Sequence, residues 1–326
     1  MKNACHKPTL LFFCSVFLVF SGFGQRLDIA RVFTPRALIT SEYAFPNQSD
    51  SLPFSFFKNQ FNATIPVHSK FQVDAKLSRL KSLKDWKKIV KVQAHQVLWQ
   101  IGAGYRDVNA FGVTNRVFQA STGLMGVTYR RKLNVLFYVA NVGVQESERT
   151  LSRFSLNATG VLGIAKIKKL KHVFLYGLVG TYQFGRPFIV PFLGGMIKFS
   201  KYVQLTCILP AQLKMTVKIK DGFALDFGAY VNGVAFGLPN QQELNQKDVF
   251  NFGALRTAAQ VKKKFSNRFS MYLESGFEFW NRQTISTQGQ MLESSFAGTH
   301  PYAKVSIFLT LKESVLKSDI GNFGID

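Results

Sequence analysis

Residues 269–282 (FSMYLESGFEFWNR) alternate between apolar and polar side chains over fourteen positions. Because side chains along a β-strand point to opposite faces in turn, Leu273 and Phe277 share one face while Glu274 and Glu278 share the other. Strands of soluble β-sandwiches usually run about five or six residues. Alternation over this length is typical of a transmembrane barrel strand that has lipid outside and water inside.

Similar alternation recurs along most of the chain and predicts a series of antiparallel strands. The predicted strands are 36–45, 54–66, 92–105, 117–130, 132–145, 153–166, 171–184, 188–199, 202–218, 222–236, 250–264, 268–282 and 298–312. Because a central strand does not tolerate a proline, we expect Pro210 to divide 202–218 by a turn at 209–211. The count is then twelve strands from Val92, or fourteen with the N-terminal pair, and bacterial barrels have even strand numbers. The sequence therefore predicts an all-β fold, a transmembrane antiparallel up-and-down β-barrel of 12 or 14 strands.

The connections between these strands differ in length and charge. Short basic turns are predicted at 130–132, 166–171, 200–201 and 264–268, and longer polar loops at 106–116, 146–152, 237–249 and 283–297. Outer-membrane barrels have short turns on the periplasmic side and long loops outside. We therefore expect the basic turns and the C-terminal tail, 313–326, to lie in the periplasm.

The first residues have the layout of a secretory signal peptide. Lys2 and Lys7 precede the apolar stretch 10–20, and small residues follow at 21–25. This apolar stretch is too short for a membrane-spanning helix, so we predict a cleaved signal peptide over 1–24 and a barrel over 25–312. Cleavage would leave Cys207 as the only cysteine, which excludes an intramolecular disulfide.

The composition is strongly basic and strongly apolar at once. The chain has 41 Lys and Arg against 18 Asp and Glu; without Lys2 and Lys7 the net charge is about +21. Basic chains often bind nucleic acid or anionic lipid, but an export signal, 33 phenylalanines and 47% hydrophobic residues argue against nucleic acid. The expected partners are outer-membrane lipids and lipopolysaccharide, the barrel-assembly machinery and small solutes, with no nucleic acid. Residues 67–91 form a basic connector, either a short amphipathic helix or a loop.

The polar faces of the predicted strands supply candidates for the lining of the lumen. These pore-lining candidates are Gln204, Lys214, Asp226, Asn232, Arg256, Glu274, Glu278 and Arg282. A turn centred near Asn267 would place Arg256 opposite Glu278 and Gln260 opposite Glu274. We expect an inward-facing ladder of charges there, and a structural role in fixing the register of the strands is favoured over solute binding. The large inward residues Tyr230, Tyr272 and Trp280 predict a narrow lumen.

The sequence holds no recognisable catalytic or cofactor motif. A hydrolase needs a histidine beside a nucleophile and an acid, and no G-x-S-x-G motif is present. We expect His172 and His300 at the surface and His95 within a strand. No zinc-type cluster of cysteine and histidine occurs either. The sequence therefore predicts no enzyme, no catalytic residue, no cofactor and no metal.

One stretch resembles a known family. It runs from Pro187 through PFIVPFLGG and the turn at 199–201 to Pro210, and combines a proline-rich strand start, a glycine pair, a tight turn and a strand ending in Leu-Pro. This pattern is similar to uncharacterised porin-like outer-membrane β-barrels of Gram-negative bacteria, known as a domain of unknown function. The resemblance implies a barrel in the outer membrane and supplies no site residues.

The sequence leaves several functions open. The first is a porin-like channel or transport barrel for small solutes, with anions favoured by the basic excess. The second is a plugged structural barrel whose basic turns contact anionic lipid. A barrel-borne hydrolase is disfavoured because the catalytic constellation is missing. A soluble secreted β-sandwich is a further alternative, and membrane fractionation would distinguish it from a membrane barrel.

Overall fold

The computed structural model describes the strands of the chain and their tighter connections. The described residues are 35–46, 54–75, 90–110, 113–130, 134–146, 154–169, 172–183, 186–237, 248–287 and 290–311. The predicted signal peptide and the tail 313–326 lie outside them. Within the described ranges, no helix is long and apolar enough to cross a membrane.

Antiparallel strands account for nearly all of the described chain. They are β1 (Arg36–Ala44), β2 (Ser55–Ala75), β3 (Val90–Ala110), β4 (Val113–Arg130), β5 (Asn134–Glu146), β6 (Phe154–Lys169), β7 (His172–Gln183), β8 (Arg186–Lys198), β9 (Val203–Leu209), β10 (Gln212–Lys220), β11 (Phe223–Gly237), β12 (Asp248–Lys264), β13 (Phe269–Thr287), β14 (Gln290–Ala297) and β15 (His300–Thr310). Each strand from β1 to β13 pairs with the next, and β15 pairs with both β13 and β1.

These pairings close the sheet into a barrel. β14 and β15 both pair with β13, β14 with its 281–287 end and β15 with its 269–278 end, so the two form one interrupted strand of the wall. The barrel therefore has 14 strands. The expected turn at Pro210 separates β9 from β10. The N-terminal pair β1 and β2 belongs to the wall, which confirms the larger of the two predicted strand numbers.

The connections define two ends of the barrel. The turn end carries the turns 199–202, 221–222 and 265–268, and the opposite end is here named the loop end. Two loops predicted at the loop end are wrong. β3 continues to Ala110 and β4 begins at Val113. In the same way, β13 continues to Thr287 and β14 begins at Gln290. The polar residues of 106–110, 113–116, 283–287 and 290–297 therefore belong to strands, which extend further than the alternation of apolar residues indicates.

The basic connector is also shorter than the sequence indicates. β2 continues past Pro66 and pairs with β3 as far as Ala75 opposite Val90. The register shifts between Pro66 and His68, so the proline lies at a β-bulge, where strands accept it. The predicted connector 67–91 thus begins and ends as strand. The expected helix or loop falls on 76–89, outside the described residues.

The outer wall is apolar, as a membrane barrel requires. Large apolar side chains are exposed on the outward face of strands all around the barrel, including Phe61, Leu178, Leu213 and Phe277. In water, exposed apolar area on this scale would drive association. In a bilayer the same band faces hydrocarbon, and closure of the sheet satisfies the backbone hydrogen bonds. This arrangement confirms a transmembrane β-barrel.

The inner wall has two halves of different chemistry. From β4 to β9 the inward side chains form an apolar cluster that includes Met125, Phe137, Leu175, Phe192 and Ile208. The inward ion pairs lie on the other half, on β10 to β13 and β1. The expectation of an aqueous inner face therefore fails for most of β5 to β8, where the inward cluster is apolar. Thr181 on β7 and Lys198 at the end of β8 are polar exceptions. β5 and β11 approach within 8 Å between Cα atoms, although six strands apart, so the barrel is flattened there.

A gap interrupts the wall at the loop end. The hairpin of β9 and β10 stops at Pro210, and β8 pairs with β9 only from Leu193 onward. In the described chain, β8 over 186–192 and β11 over 232–237 therefore have no strand between them. We name this the wall gap. Ala211 packs against Val190 and Val231 at its base.

Candidate functional site in the lumen

The predicted pairing of β12 with β13 is confirmed. Arg256 lies opposite Glu278 and Gln260 lies opposite Glu274. Both pairs point into the barrel, since Arg256 is 1% and Glu278 0% exposed. The register follows from the tight turn 265–268, in which the Ser266 hydroxyl accepts hydrogen bonds from the N–H groups of Arg268 and Phe269.

Arg256 is the centre of a buried network of charges and hydroxyls. Its Nε donates to Glu278 Oε1, and its Nη1 lies 2.5 Å from Glu42 Oε1. Its guanidinium also stacks over the Tyr302 ring, 4.2 Å from the centroid. A single arginine therefore holds two carboxylates from strands on either side of β15. Such a charge is tolerated inside a barrel only because it is paired on both sides.

Tyrosine hydroxyls extend this network to Glu274. The Tyr302 hydroxyl donates to Glu274 Oε1 over 2.9 Å, and the Tyr230 hydroxyl donates to the same oxygen. Gln260 Nε2 donates to the other oxygen over 2.8 Å. We name this set the buried network, comprising Glu42, Tyr230, Asn232, Arg256, Gln260, Glu274, Glu278 and Tyr302.

A second ion-paired group lies nearer the turn end. Asp226 is 0% exposed, and its Oδ2 lies 2.6 Å from Lys262 Nζ and 3.8 Å from Lys214 Nζ. The three side chains come from neighbouring strands β10, β11 and β12. Two cations thus share one carboxylate, so this group carries a net positive charge.

The structure brings most of the pore-lining candidates together on the inner wall. Lys214, Asp226, Asn232, Glu274 and Glu278 are inward and buried, and Arg256 lies among them. Gln204 is inward and half-buried on β9. Whether any of them lines an open pore stays a prediction, because their packing leaves little of their surface free.

Arg282 is placed differently and corrects the simple alternation. The register of β12 and β13 shifts between Gly253 and Leu255, and Trp280 has a φ of 51°. This β-bulge inserts one residue, so every later side chain of β13 changes face. Trp280 becomes 75% exposed, whereas Asn281 is 0% exposed and faces inward. Arg282 consequently lies on the outward face, where its Nε donates to Ser294 Oγ over 3.3 Å.

A continuous row of polar side chains crosses the inner wall. Each member lies directly opposite the next on the neighbouring strand: Arg106, Lys58, Glu42, Lys304, Glu274, Gln260, Asp226, Thr216, Gln204 and Lys198. We name it the polar row. Barrel strands tilt by about 35–45°, so a line perpendicular to them spirals along the barrel. The row begins near the loop end of β3 and ends at the last residue of β8, at the turn end.

Four cations of this row were not among the sequence candidates, and three of them lie on neighbouring parts of the wall. Lys58, Arg106 and Lys304 are half-buried and inward, and we name them the cationic cluster. Lys58 interacts electrostatically with the other two and with Glu42. Arg106 falls in a segment predicted to be a loop, and the pairing of Lys58 depends on the length of β2. Only the register of β2 with β3 could have found them.

The histidines do not form a catalytic arrangement in the described chain. His95 Nδ1 lies 2.8 Å from Thr128 Oγ1, and its ring centroid is 5.9 Å from that of His68. His300, expected at the surface, is 0% exposed because β15 begins inside the wall opposite Glu278. Among the described residues, no group of three or more histidine, cysteine or acidic side chains could hold a metal ion.

Comparisons with known proteins find likeness in structure alone. No family model matches the chain, and no curated protein matches it in sequence. The resemblance to the uncharacterised porin-like family therefore stays a prediction. Solved structures do match over most of the chain.

Three of these solved structures come from two autotransporters and a secretin. The transport unit of the autotransporter AIDA-I from Escherichia coli has 9% identity and a TM-score of 0.38, covering 93% of this chain and 97% of that one. The translocator domain of the autotransporter NalP from Neisseria meningitidis has 8% identity and a TM-score of 0.36, covering 92% and 95%. A bacterial polysaccharide outer membrane secretin has 9% identity and a TM-score of 0.33, covering 86% and 99%.

Proposed function

We propose that this protein is an outer-membrane barrel that carries small anionic solutes through a narrow lumen. The polar row supports the proposal, because it supplies water-compatible groups from Arg106 on β3 to Lys198 at the turn end. Toward the loop end it is followed by an apolar cluster that includes Phe54, Phe56 and Phe250. Among the described residues, β5 to β8 offer no comparable row, because most of their inward side chains are apolar. The exported chain would reside in the bacterial outer membrane.

The charge of the lumen supports a preference for anions. Around the polar row, basic side chains outnumber acidic ones: Lys58, Arg106, Lys214, Arg256, Lys262 and Lys304 stand against Glu42, Asp226, Glu274 and Glu278. Rings of basic side chains select anions in pores because they replace part of the hydration of the passing ion. The buried network narrows the route at its middle, where Tyr230 and Tyr302 meet over 3.0 Å between hydroxyl oxygens.

A second candidate function is a plugged structural barrel. The near-complete burial of Arg256, Phe252 and Tyr302 favours it, because fully packed side chains leave no room for water at that level. In this alternative the basic turns at the turn end would contact anionic lipid, and the lumen would serve stability only.

Planar-bilayer recording of the purified protein separates the two functions. Transport predicts stepwise conductance with a reversal potential that shows anion preference, and a plugged barrel predicts silence. Tyr230→Ala should enlarge the unit conductance of a transport barrel, because it removes a ring at the constriction. Tyr43→Ala is the matched control, since Tyr43 is 39% exposed on the outer wall. Equal conductance in both variants would contradict a constriction at Tyr230.

A further inference from the structure

The cationic cluster differs from the other basic groups described above in its lack of ion pairs. Lys214 and Lys262 are paired with Asp226, and Arg256 is paired with Glu42 and Glu278. In the described part of the chain, by contrast, Lys58, Arg106 and Lys304 have no carboxylate at ion-pair distance.

Nearby carboxylates are already engaged elsewhere. Glu42 lies opposite both Lys58 and Lys304, but its Oε1 lies against Arg256 Nη1. Glu274, opposite Lys304, accepts hydrogen bonds on both of its oxygens from residues of the buried network. The acids of this region therefore cannot neutralise the cluster without giving up the contacts that they make.

The donors of the cluster are also free to bind. Arg106 Nε is buried and has no hydrogen-bond partner within the described residues. An unpaired buried donor of a charged group costs free energy, which a bound acceptor would recover. Lys58 lies directly opposite Arg106, so an ammonium and a guanidinium border the same spot on the inner wall.

We propose that Lys58, Arg106 and Lys304 form a binding site for a phosphate group on a solute in the lumen. Guanidinium binds two oxygens of an oxyanion side by side, and ammonium groups bind the remaining oxygens as point charges. Three cations beside carboxylates that are engaged elsewhere match a dianion better than a monoanion. All three side chains face the lumen and not the outer wall, so the phosphate group is that of a solute and not of a membrane lipid.

This site deepens the proposed function and rests on it for the route by which solute arrives. The site lies at the start of the polar row, and on β15 Lys304 is closer to the turn end than Tyr302, which forms the constriction with Tyr230. A solute bound there would be held next to the narrow part of the lumen. Binding and passage are nevertheless separate properties, and they can be measured separately.

Isothermal titration calorimetry of the full chain in lipid nanodiscs, with inorganic phosphate as the probe, tests the site without requiring conductance. One phosphate should bind per chain, and more tightly than acetate. Lys58→Gln and Arg106→Gln should each weaken phosphate binding at least tenfold. Lys264→Gln is the matched control, because Lys264 is exposed at the turn end, and it should leave binding unchanged.

The substitution Glu42→Gln provides a test of opposite sign. It removes a negative charge that lies opposite both Lys58 and Lys304 while keeping the shape of the side chain, so phosphate should bind more tightly. A general loss of structure would weaken binding instead, which circular dichroism of the same samples would reveal. Absence of phosphate binding by the wild type, or equal binding by the Lys58 and Lys264 variants, overturns the site. Binding without bilayer conductance would overturn transport and leave the site standing.

Discussion

Arg256 on β12 lies directly opposite Glu278 on β13, and the same guanidinium reaches Glu42 on β1 over 2.5 Å. One side chain thus bridges the space in front of β15 and joins β12 and β13 to β1, which is far from them in sequence. Both carboxylates are almost fully buried, so their mutual repulsion is compensated only while the guanidinium lies between them. This relationship makes the buried network a determinant of barrel stability.

Arg256→Met should destabilise the barrel by about 3–5 kcal/mol, the usual cost of breaking a buried ion pair from one side. The substitution leaves Glu42 and Glu278 facing each other without the guanidinium that bridges them. Urea unfolding in lipid vesicles, followed by tryptophan fluorescence, measures the change. The triple variant Glu42→Gln, Arg256→Met, Glu278→Gln should recover most of the loss, because it removes the charges together. A triple variant as unstable as the single one would show that shape rather than charge matters there.

The outward face of β13 supports a prediction about the membrane. Phe277 is 51% exposed on the outer wall, so Phe277→Arg should cost roughly 2–4 kcal/mol if it lies near the bilayer midplane. Phe265 has the same exposure, 51%, but belongs to a turn at the turn end. Phe265→Arg should therefore cost only about 0–1 kcal/mol, as at an interface. Folding free energies of the two variants in vesicles give the comparison, and equal costs would contradict the bilayer placement.

The sequence could predict features that depend on local alternation. The strand at Phe269, its pairing through the turn near Asn267 and the break at Pro210 all follow from neighbouring residues, and the structure confirms them. Features that depend on pairing across a connection could not be predicted. The bulge at Trp280 leaves no local signal and moves Arg282 to the other face.

The apolar inner wall shows a further limit of alternation. Strand β7 has apolar residues on both faces, with Leu175 and Val179 inside and Tyr176 and Leu178 outside. Alternation of apolar and polar residues therefore does not distinguish its inner face from its outer face. The cationic cluster shows the same limit from the other side. Lys58 and Arg106 become neighbours only through the register of β2 and β3, which no residue between them specifies.

Two glycines of β7, Gly177 and Gly180, differ in how closely the neighbouring backbone approaches them. A Cβ on Gly177 would lie 2.2 Å from the backbone oxygen of Leu162, whereas a Cβ on Gly180 would have its nearest neighbour at 3.9 Å. Gly177→Ala should therefore destabilise the barrel by about 1–3 kcal/mol, since the neighbouring strand must shift. Gly180→Ala should be neutral or slightly stabilising, because alanine restricts the unfolded chain. Urea unfolding in vesicles tests both, and equal effects would refute the close approach at Gly177.

The prolines of β8 support a prediction about the wall gap. Pro187 and Pro191 lack an N–H, and both lie in the part of β8 that has no partner on the β9 side. Backbone N–H groups alternate between the two sides of a strand, and that of Phe199 points to Val203 on the β9 side. The odd-numbered positions of β8 therefore face the gap. Because Pro187 and Pro191 have no N–H, no unpaired backbone donor is exposed at these positions, where it would be costly in hydrocarbon.

Two adjacent substitutions test this orientation. Pro191→Ala should destabilise the barrel by about 1–3 kcal/mol, because its new N–H lies in the wall gap without a hydrogen-bond partner. Val190→Pro should cost about 1–3 kcal/mol or more, because it removes a ladder hydrogen bond toward β7, where Val190 lies opposite Val179. Heat-modifiable migration on gels and urea unfolding in vesicles measure both. If instead Pro191→Ala stabilises the barrel strongly, its N–H has found a partner, and the strands bordering the gap pair with each other in the membrane.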